Sequence, residues 1–306
     1  MSERTANAAV VGVKAPAKVN LFLSVTGKRA DGYHELDSLF YPLPTLSDTI
    51  HFSESESVSG AGVRILCNTP GVPCTGANLC AKAYHAYWES AGMPPPPQEW
   101  TIGIEKVSPV AGGMGGGSSD AAAVLLFLRN RFQALTEEQL KKTALKLGAD
   151  VPFFLDPRPS IASGIGERLT PLKTCPESAH PPLLIAAPDF PVSAAWAYRA
   201  LDLRGSGRKK TPDSRSSSQD AAEALANADW KALARVMRND LEGPLYEKFP
   251  VLGLLRGELE KSGALRVMVT GSGPTLIGLF SSGKEAADAA GSLSATLDPS
   301  VRLILP

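Results

Sequence analysis

A glycine-rich stretch in the middle of the chain is the strongest candidate for binding chemistry. From Pro109 to Asp120 the sequence reads PVAGGMGGGSSD, and five of the six residues from Gly112 to Gly117 are glycine. Glycine lets backbone amides fold close around phosphate oxygens, and the N-terminus of a following helix adds about half a positive charge. The next residues, AAAVLLFLRNRF, have strong helix propensity and an apolar face. The pattern predicts a polyphosphate site at the start of a helix.

Two familiar phosphate motifs do not fit this spacing. A Walker A loop has Lys and then Ser or Thr directly after its last glycine, whereas Ser118 follows Gly117. The dinucleotide fingerprint needs glycines at offsets of two and five, and no register of Gly112 to Gly117 supplies all three. A flexible linker is the remaining alternative. It is disfavoured because the stretch leads directly into a helix.

A strand near the N-terminus carries two polar residues on one face. From Lys18 to Val25 apolar residues alternate with other types, which predicts a strand with one buried face. Lys18 and Asn20 then share the opposite face. The following GKRADGYH, Gly27 to His34, contains an Asp-Gly step and predicts a turn before a second apolar stretch.

Helix-capping residues and helix-breaking prolines predict where the other elements of the first half begin and end. Met93 to Pro97 (MPPPP) predicts a surface connection, and Trp100 to Glu105 predicts a short strand. Thr136 and Gln139 form a capping-box pair that begins a helix, and Gly148 indicates its end. Asp150 follows that end directly.

The second half alternates strands, helices and loops, which predicts a mixed α+β domain. We place the boundary near residue 160, giving domains 1–160 and 161–306. The predicted elements are a strand Leu183 to Ala187, a helix Ser193 to Leu203, a Ser-rich loop Arg204 to Gln219, helices Asp220 to Asp240 and Val251 to Lys261, strands Leu265 to Thr270 and Thr275 to Phe280, and a final helix and strand ending at Leu305.

Composition limits the classes of partner. With 306 residues the chain is long enough for two domains, and its 31 basic residues balance 31 acidic ones. Neither a nucleic acid nor an anionic membrane is therefore expected, and a small-molecule substrate fits better. The four cysteines (Cys67, Cys74, Cys80, Cys175) lack CxxC or zinc spacing, which indicates reduced thiols. With no spanning apolar run and no signal peptide at Met1 to Asn7, we expect a cytoplasmic protein.

Four segments in the same order resemble the GHMP kinases, a family of ATP-dependent small-molecule kinases. PVAGGMGGGSSDAA resembles the family's phosphate loop, and APAKVNLFLSVTGKRADGYHELDSLF, Ala15 to Phe40, resembles the opening of one branch. GADVPFF, Gly148 to Phe154, is similar to its catalytic-aspartate segment, and VTGSGPTLIGLF, Val269 to Phe280, to its third motif. Two departures are Ala111, where members often have glycine, and Asp120, where some have Asn.

The resemblance implies a fold and two cofactors. The fold is α+β with two GHMP kinase domains: an N-terminal domain like the second domain of ribosomal protein S5, and a ferredoxin-like C-terminal domain. The implied cofactors are ATP and Mg²⁺, and the metal ligands and the oligomeric state stay open. Two alternatives are a GHMP kinase of the mevalonate or homoserine type and a non-catalytic nucleotide sensor on the same fold.

The resemblance also assigns residue roles. Asp150 accepts the proton of the substrate hydroxyl, and Lys18 holds that carboxylate and offsets charge on the transferred group; for Asp150 the plain alternative is a turn or capping aspartate, and for Lys18 it is a solvated lysine. The ATP contacts implied are Asn78, Lys106, Pro109, Val110, Ala111, Gly112, Gly113, Met114, Gly115, Gly116, Gly117, Ser118 and Ser119. For Asn78 and Lys106, ordinary surface solvation is a competing interpretation.

The branch with the similar opening acts on a substrate that carries cytidine diphosphate. By resemblance, Tyr33 stacks on the cytosine and His34 bonds its polar edge, whereas a packed tyrosine and a surface histidine are the plain alternatives. Tyr198 is the expected second stacking aromatic, and Trp196 is its rival. Asn20 is expected to orient Lys18 or the substrate.

Overall fold

The computed structural model describes residues 11–54, 62–173, 180–205 and 216–306. Strands occupy Val11–Lys28 (β1), His34–Glu54 (β2), Val63–Cys67 (β3), Trp100–Glu105 (β4), Ser160–Gly164 (β5), Arg168–Pro171 (β6), Leu183–Pro188 (β7), Arg266–Val269 (β8), Leu276–Leu279 (β9) and Val301–Ile304 (β10). Helices occupy Leu79–Ala91 (α1), Gly116–Phe132 (α2), Glu137–Leu147 (α3), Ala194–Gly205 (α4), Ser218–Ala226 (α5), Trp230–Val236 (α6), Glu242–Lys248 (α7), Pro250–Lys261 (α8) and Gly283–Ser294 (α9). Val151–Leu155 forms a 3-10 helix.

Two compact units share the chain, and each is built from three segments. The first comprises 1–17, 46–108 and 116–157, and the second 18–45, 109–115 and 158–306. The last segment of the first unit ends at residue 157, close to the predicted boundary, but residues 18–45 and 109–115 belong to the same unit as the C-terminal part. One cut near residue 160 therefore does not separate these units, and the assignment of 1–160 and 161–306 to two domains stays a prediction.

The first unit packs helices α1, α2 and α3 beside a small sheet. Strand β3 pairs parallel with β4, and β4 pairs antiparallel with Thr49 to Glu54 of β2. Aromatic side chains fill the space between them: the rings of Phe52 and Phe127 stack at 3.8 Å, and those of Trp88 and Phe132 meet edge to face at 4.8 Å. Burial of such rings contributes strongly to a core.

The second unit contains a four-stranded antiparallel sheet of order β10-β7-β9-β8. Its core includes buried side chains from α8 and α9, such as Leu255, Leu259 and Leu293. This strand order, with helices between strands, is that of a ferredoxin-like domain, so the predicted C-terminal fold is confirmed. Elsewhere in the unit, Leu36 to Phe40 of β2 pairs with β5, and β5 pairs with β6.

Strand β1 differs from the prediction in its burial. The alternation does place Lys18 and Asn20 on one face, but both faces of the strand are buried from Ala17 to Leu23. Lys18 is 3% exposed and Asn20 is 1% exposed. The prediction of a strand with only one buried face was wrong, because polar groups and the Phe40 ring cover the second face, as described below.

The predicted helix boundaries were right where the capping residues are close together in sequence. Thr136 and Gln139 form the predicted capping box of α3, with each side chain bonded to the other residue's backbone N–H. The predicted helix Asp220 to Asp240 is instead two helices, because Ala228 has a φ of 50° and the Asp229 side chain caps α6 through Ala232 N–H. Helix α7 was not predicted, since its sequence contains Gly243 and Pro244.

Several other expectations concern loops, thiols and membranes. Part of the predicted loop Arg204 to Gln219 belongs to α4 and α5, and its middle lies outside the described residues. Cys67, Cys74 and Cys80 are free thiols, whereas Cys175 lies outside the described residues. Over the described ranges, no helix is both long and apolar enough to cross a membrane.

Candidate active site

The glycine loop has a backbone that few other residues adopt. Gly113 and Gly115 have φ values of 78° and 71°, in the left-handed region that favours glycine. A Cβ on Gly113 would lie 2.5 Å from the Thr270 carbonyl oxygen and 2.8 Å from the Gly273 nitrogen. Ala111 also has a positive φ, 52°, at the position where GHMP members often have glycine. Ala111, where the sequence differs from the family pattern, is therefore a residue with a strained backbone.

A second glycine turn packs against this loop within the same unit. The turn is closed by bonds from Thr270 N–H to the Thr275 carbonyl (2.9 Å) and from Gly273 N–H to the Thr270 carbonyl (3.0 Å). Gly271 has a φ of 53°, and a Cβ there would collide with the Gly113 carbonyl. The two loops thus meet backbone to backbone, which explains why both sequences are rich in glycine.

Lys18 is a buried lysine held by its neighbours in the second unit. Its backbone N–H donates to the Met114 carbonyl of the glycine loop at 2.9 Å. Its Nζ donates to Asn20 Oδ1 at 2.7 Å and lies 4.3 Å from the centre of the Phe40 ring. Strand β1 therefore fixes both the loop and the ammonium group.

Asn20 is itself fixed on three sides. Its Nδ2 donates to Ser38 Oγ at 2.8 Å, and its backbone N–H donates to Thr270 Oγ1 at 2.8 Å. Its Oδ1 accepts from Lys18. This geometry fits the expectation that Asn20 orients Lys18.

A buried ion triad lies at the start of α2, in the first unit. Lys106 Nζ is 2.6 Å from Asp48 Oδ2 and 2.7 Å from Asp120 Oδ2. Asp48 Oδ1 also accepts from the backbone N–H groups of Val107 (2.6 Å) and Ser108 (2.7 Å). All three ionic side chains are at most 5% exposed. Solvation of Lys106, the competing interpretation, is therefore wrong for its side chain.

The two carboxylates of the triad differ in proton affinity. Burial raises the pKa of Asp120 to about 7, helped by the charge of Asp48 and opposed by Lys106. For Asp48, burial is outweighed by Lys106 and by the two amide bonds, so its pKa lies below its usual range. Asp120 Oδ1 is buried without a hydrogen-bond partner among the described residues. A buried site with one ammonium and two carboxylates favours the binding of one proton. Because Asp120 has the higher pKa, the proton binds to Asp120.

The triad supports the first turn of α2 from one side. A Cβ on Gly116 would collide with Ser108 Oγ and lie 2.9 Å from Lys106 Nζ. At Gly117 the nearest atom to such a Cβ is Leu79 Cδ1 at 3.7 Å, an ordinary contact. Gly116 is thus required by packing, whereas Gly117 is not.

Asn78 and Asp150 occupy helix starts in the first unit. Asn78 Oδ1 accepts from Cys80 N–H at 2.8 Å and caps α1, while its Nδ2 donates to the Pro73 carbonyl at 2.7 Å. Its side chain is buried rather than solvated. Asp150 precedes the 3-10 helix Val151–Leu155, but its side chain does not cap that helix. Of the two plain alternatives for Asp150, the capping role is therefore wrong, whereas the residue does lie in a turn.

The residues predicted to contact cytosine lie in the second unit. His34 Nε2 is 2.7 Å from Asp202 Oδ1, and the His34 ring stacks on Tyr198 with centroids 5.0 Å apart. Tyr33 is 59% exposed, and its backbone N–H donates to Asp31 Oδ1 at 3.2 Å. A flat aromatic surface at Tyr33 is thus accessible.

Trp196, the rival aromatic, packs differently. Both aromatics lie at the margin of the apolar core, but the Trp196 ring meets Phe249 edge to face at 5.6 Å. Of the two candidates, Tyr198 is the one stacked on His34.

Sequence and structure comparisons agree on the family. The profile of the GHMP kinases N terminal domain matches residues 78–156, and that of the GHMP kinases C terminal domain matches residues 221–298. The chain is similar to the 4-diphosphocytidyl-2-C-methyl-D-erythritol kinase of Geobacter metallireducens, with 39% identity over 94% of this chain and 95% of the relative. The chain belongs to the GHMP kinases.

Solved structures support the same GHMP kinase fold. A crystal structure of 4-(cytidine 5'-diphospho)-2C-methyl-D-erythritol kinase matches with a TM-score of 0.73 and 35% identity, covering 96% of this chain and 98% of the other. A mevalonate kinase from L. major in complex with R-mevalonate also has a TM-score of 0.73, over 100% and 99% of the chains, but only 15% identity. The predicted α+β fold with two GHMP kinase domains is confirmed.

Three polar residues of this GHMP kinase were not singled out from its sequence as partners of the predicted site residues. Asp48 bonds Lys106, Thr270 bonds Asn20, and Asp202 bonds His34. Each is distant in sequence from its partner, and of the three only Thr270 lies in a segment that the sequence analysis singled out, Val269 to Phe280. Asp120 carried a signal, since it follows the glycine loop directly and replaces the Asn of some members.

Proposed function

We infer that this chain is an ATP-dependent kinase for the 2-hydroxyl of 4-diphosphocytidyl-2-C-methyl-D-erythritol, in the non-mevalonate route to isopentenyl diphosphate. The observation that carries this inference is the Geobacter metallireducens relative, which has that name and matches nearly end to end. Likeness to homoserine kinase and mevalonate kinase is at 16% and 15% identity, which supports a shared fold only.

The chemistry assigned to Asp150 and Lys18 follows from the needs of phosphoryl transfer. Such enzymes act mainly by positioning, by neutralising charge and by receiving the alcohol proton. Asp150 is the proton acceptor of this proposal, and its side chain is not committed to capping the helix that follows. Lys18 provides positive charge from a dry site, where electrostatic interactions are stronger than in water. Asn20 keeps its ammonium in place.

ATP binding is assigned to the glycine loop and the start of α2. Positive φ values at Gly113 and Gly115 let the backbone curve, and the helix start supplies amide hydrogens and a favourable dipole. Asn78 and Lys106 act in this proposal as supports of that region, because their side chains already bond protein groups.

Magnesium fits this site as a companion of ATP. Within the described ranges, no three His, Cys, Asp or Glu side chains gather as a metal site. Mg²⁺ in kinases is usually bound by one or two protein oxygens together with phosphates and waters, so a dedicated cage is not required. The Ser119 hydroxyl is buried without a hydrogen-bond partner among the described residues, and it is the oxygen we assign to the ion. When bound, Mg²⁺ neutralises phosphate charge.

Balanced charge supports a small-molecule substrate as the partner, and the free thiols of Cys67, Cys74 and Cys80 support the cytoplasm as the location. The deciding experiment is a coupled assay of ADP release with purified protein. At equal concentrations, the cytidine substrate should be phosphorylated and mevalonate and homoserine should not. Preference for either of the other alcohols would reassign the substrate. ATP binding without turnover of any alcohol would instead support a nucleotide sensor.

A further inference from the structure

One carboxylate joins two basic side chains beside the predicted cytosine site. Asp202 Oδ1 is 2.7 Å from His34 Nε2, and its Oδ2 accepts from Lys28 Nζ at 2.7 Å. The His34 side chain is 9% exposed, whereas those of Asp202 and Lys28 are 30% and 53% exposed. His34 is thus the buried member, and Asp202 reaches it from the surface.

This contact determines which ring nitrogen carries the proton. Bonds from Lys28 and His34 hold the pKa of Asp202 below its usual range, so its carboxylate is ionised at neutral pH. An ionised carboxylate has no proton to donate and only accepts. The nitrogen facing it, Nε2, must therefore carry the hydrogen. In a neutral imidazole the other nitrogen, Nδ1, is then an acceptor.

The ring is also held in orientation. Tyr198 stacks on it with an interplanar angle of 21°, so rotation about the ring axis is restricted by packing on one face and by Asp202 at one edge. A fixed tautomer in a fixed plane presents one defined acceptor.

We propose that Asp202 is a specificity-determining positioning residue, which holds the His34 proton on Nε2 so that Nδ1 accepts the exocyclic amino group of cytosine. Cytosine carries an N4 amino donor at this position, whereas uracil carries the O4 acceptor. Two acceptors facing each other leave both unpaired, which disfavours a uridine substrate. The proposal rests on the proposed cytidine substrate and adds the device that distinguishes it from its uridine counterpart.

The test compares two substrates in three proteins. We would measure kcat/KM for the cytidine substrate and for the same molecule with uracil, in wild type, Asp202→Ala and Lys28→Met. In Asp202→Ala the proton is free to move to Nδ1, which then suits O4, so the cytidine-to-uridine ratio should fall by about ten-fold or more. Lys28→Met removes the other ion pair of Asp202 but keeps its bond to His34. Its ratio should stay within about two-fold of wild type.

A spectroscopic measurement tests the tautomer without substrate. ¹⁵N shifts of the His34 ring, assigned with a His34→Gln variant, should show hydrogen on Nε2 and a bare Nδ1 in wild type, and a mixture in Asp202→Ala. Hydrogen on Nδ1 in wild type, or equal loss of kcat/KM for both substrates in Asp202→Ala, would overturn the proposal. Failure of wild type to phosphorylate the cytidine substrate would instead overturn the proposed function, whatever the tautomer.

Discussion

Replacing Asp120 by Asn should remove a pH dependence of stability that originates in the buried triad. Asparagine has the shape of a protonated aspartate and carries no charge. In wild type, Asp120 has a folded-state pKa of about 7, raised chiefly by burial, against 3.8 for an ordinary aspartate. The folded protein therefore binds one more proton than the unfolded chain between these two values.

The sign and size of the effect follow from this shift. For an acid with a raised pKa, the stabilisation is fully present below the unfolded value and is lost as pH rises through the folded value. Each pH unit within that window changes the free energy of unfolding by up to about 1.4 kcal/mol. Between pH 5 and pH 7 wild type should thus lose about 2 to 3 kcal/mol through Asp120. The Asn variant should not show this loss.

Urea denaturation followed by tryptophan fluorescence, at pH 5, 6, 7 and 8, measures the difference. The free energy of unfolding of Asp120→Asn relative to wild type should rise across this range. Asp48→Asn is the matched control, because it removes the negative charge and replaces Oδ2, the acceptor of Lys106 Nζ and Ser108 Oγ, by an amide NH2, while the remaining oxygen can still accept from the backbone N–H groups of Val107 and Ser108. This variant should lower the free energy of unfolding by about 3 to 5 kcal/mol at pH 8, as is typical when one partner of a buried ion pair is removed.

Parallel pH profiles for wild type and Asp120→Asn would mean that Asp120 stays ionised throughout and that the triad carries net negative charge. A lower stability of Asp120→Asn at pH 8 would lead to the same conclusion, because an essential charge would then have been removed.

Other changes have equally direct readouts. Asp150→Asn should lower kcat by about 10² to 10⁴ with ATP affinity unchanged, and near-normal turnover would exclude Asp150 as the base. Tyr33→Ala should weaken binding of the cytidine substrate by about five- to 150-fold and leave KM for ATP unchanged; equal effects on both would contradict stacking. Gly116→Ala should weaken nucleotide binding measured by calorimetry while Gly117→Ala should not, since only position 116 lacks room for a Cβ. Equal nucleotide affinities of the two variants would place the phosphates elsewhere. Ala111→Gly should raise the melting temperature slightly, by relieving about 1 kcal/mol of left-handed strain, and a lower value would show that Ala111 is unstrained.

Features determined by neighbouring residues were predictable from the sequence. The capping box at Thr136 and Gln139 spans four residues, and the glycine loop leading into α2 is contiguous. The pairing of Lys18 with Asn20 followed from strand alternation alone. Such short-range patterns carry their geometry with them.

Features that depend on distant residues were not predictable in this way. Asp48 lies 58 residues from Lys106, and Asp202 lies 168 residues from His34. A single acid on a strand, such as Asp48, or on a helix, such as Asp202, has no pattern that indicates its partner. The burial of Lys18 also depends on residues far along the chain, including Thr270, which bonds its neighbour Asn20.

The contact between the two glycine loops has a consequence for the thermodynamics of nucleotide binding. Free glycine segments lose much conformational entropy when a ligand orders them, and that loss weakens affinity. Here Gly113 is confined by Thr270 and Gly273, and Gly271 by Gly113, through contacts within the protein itself. Most of the ordering is therefore completed during folding rather than during binding. A segment with nearly the composition of a flexible linker thus behaves as a preorganised, rigid receptor.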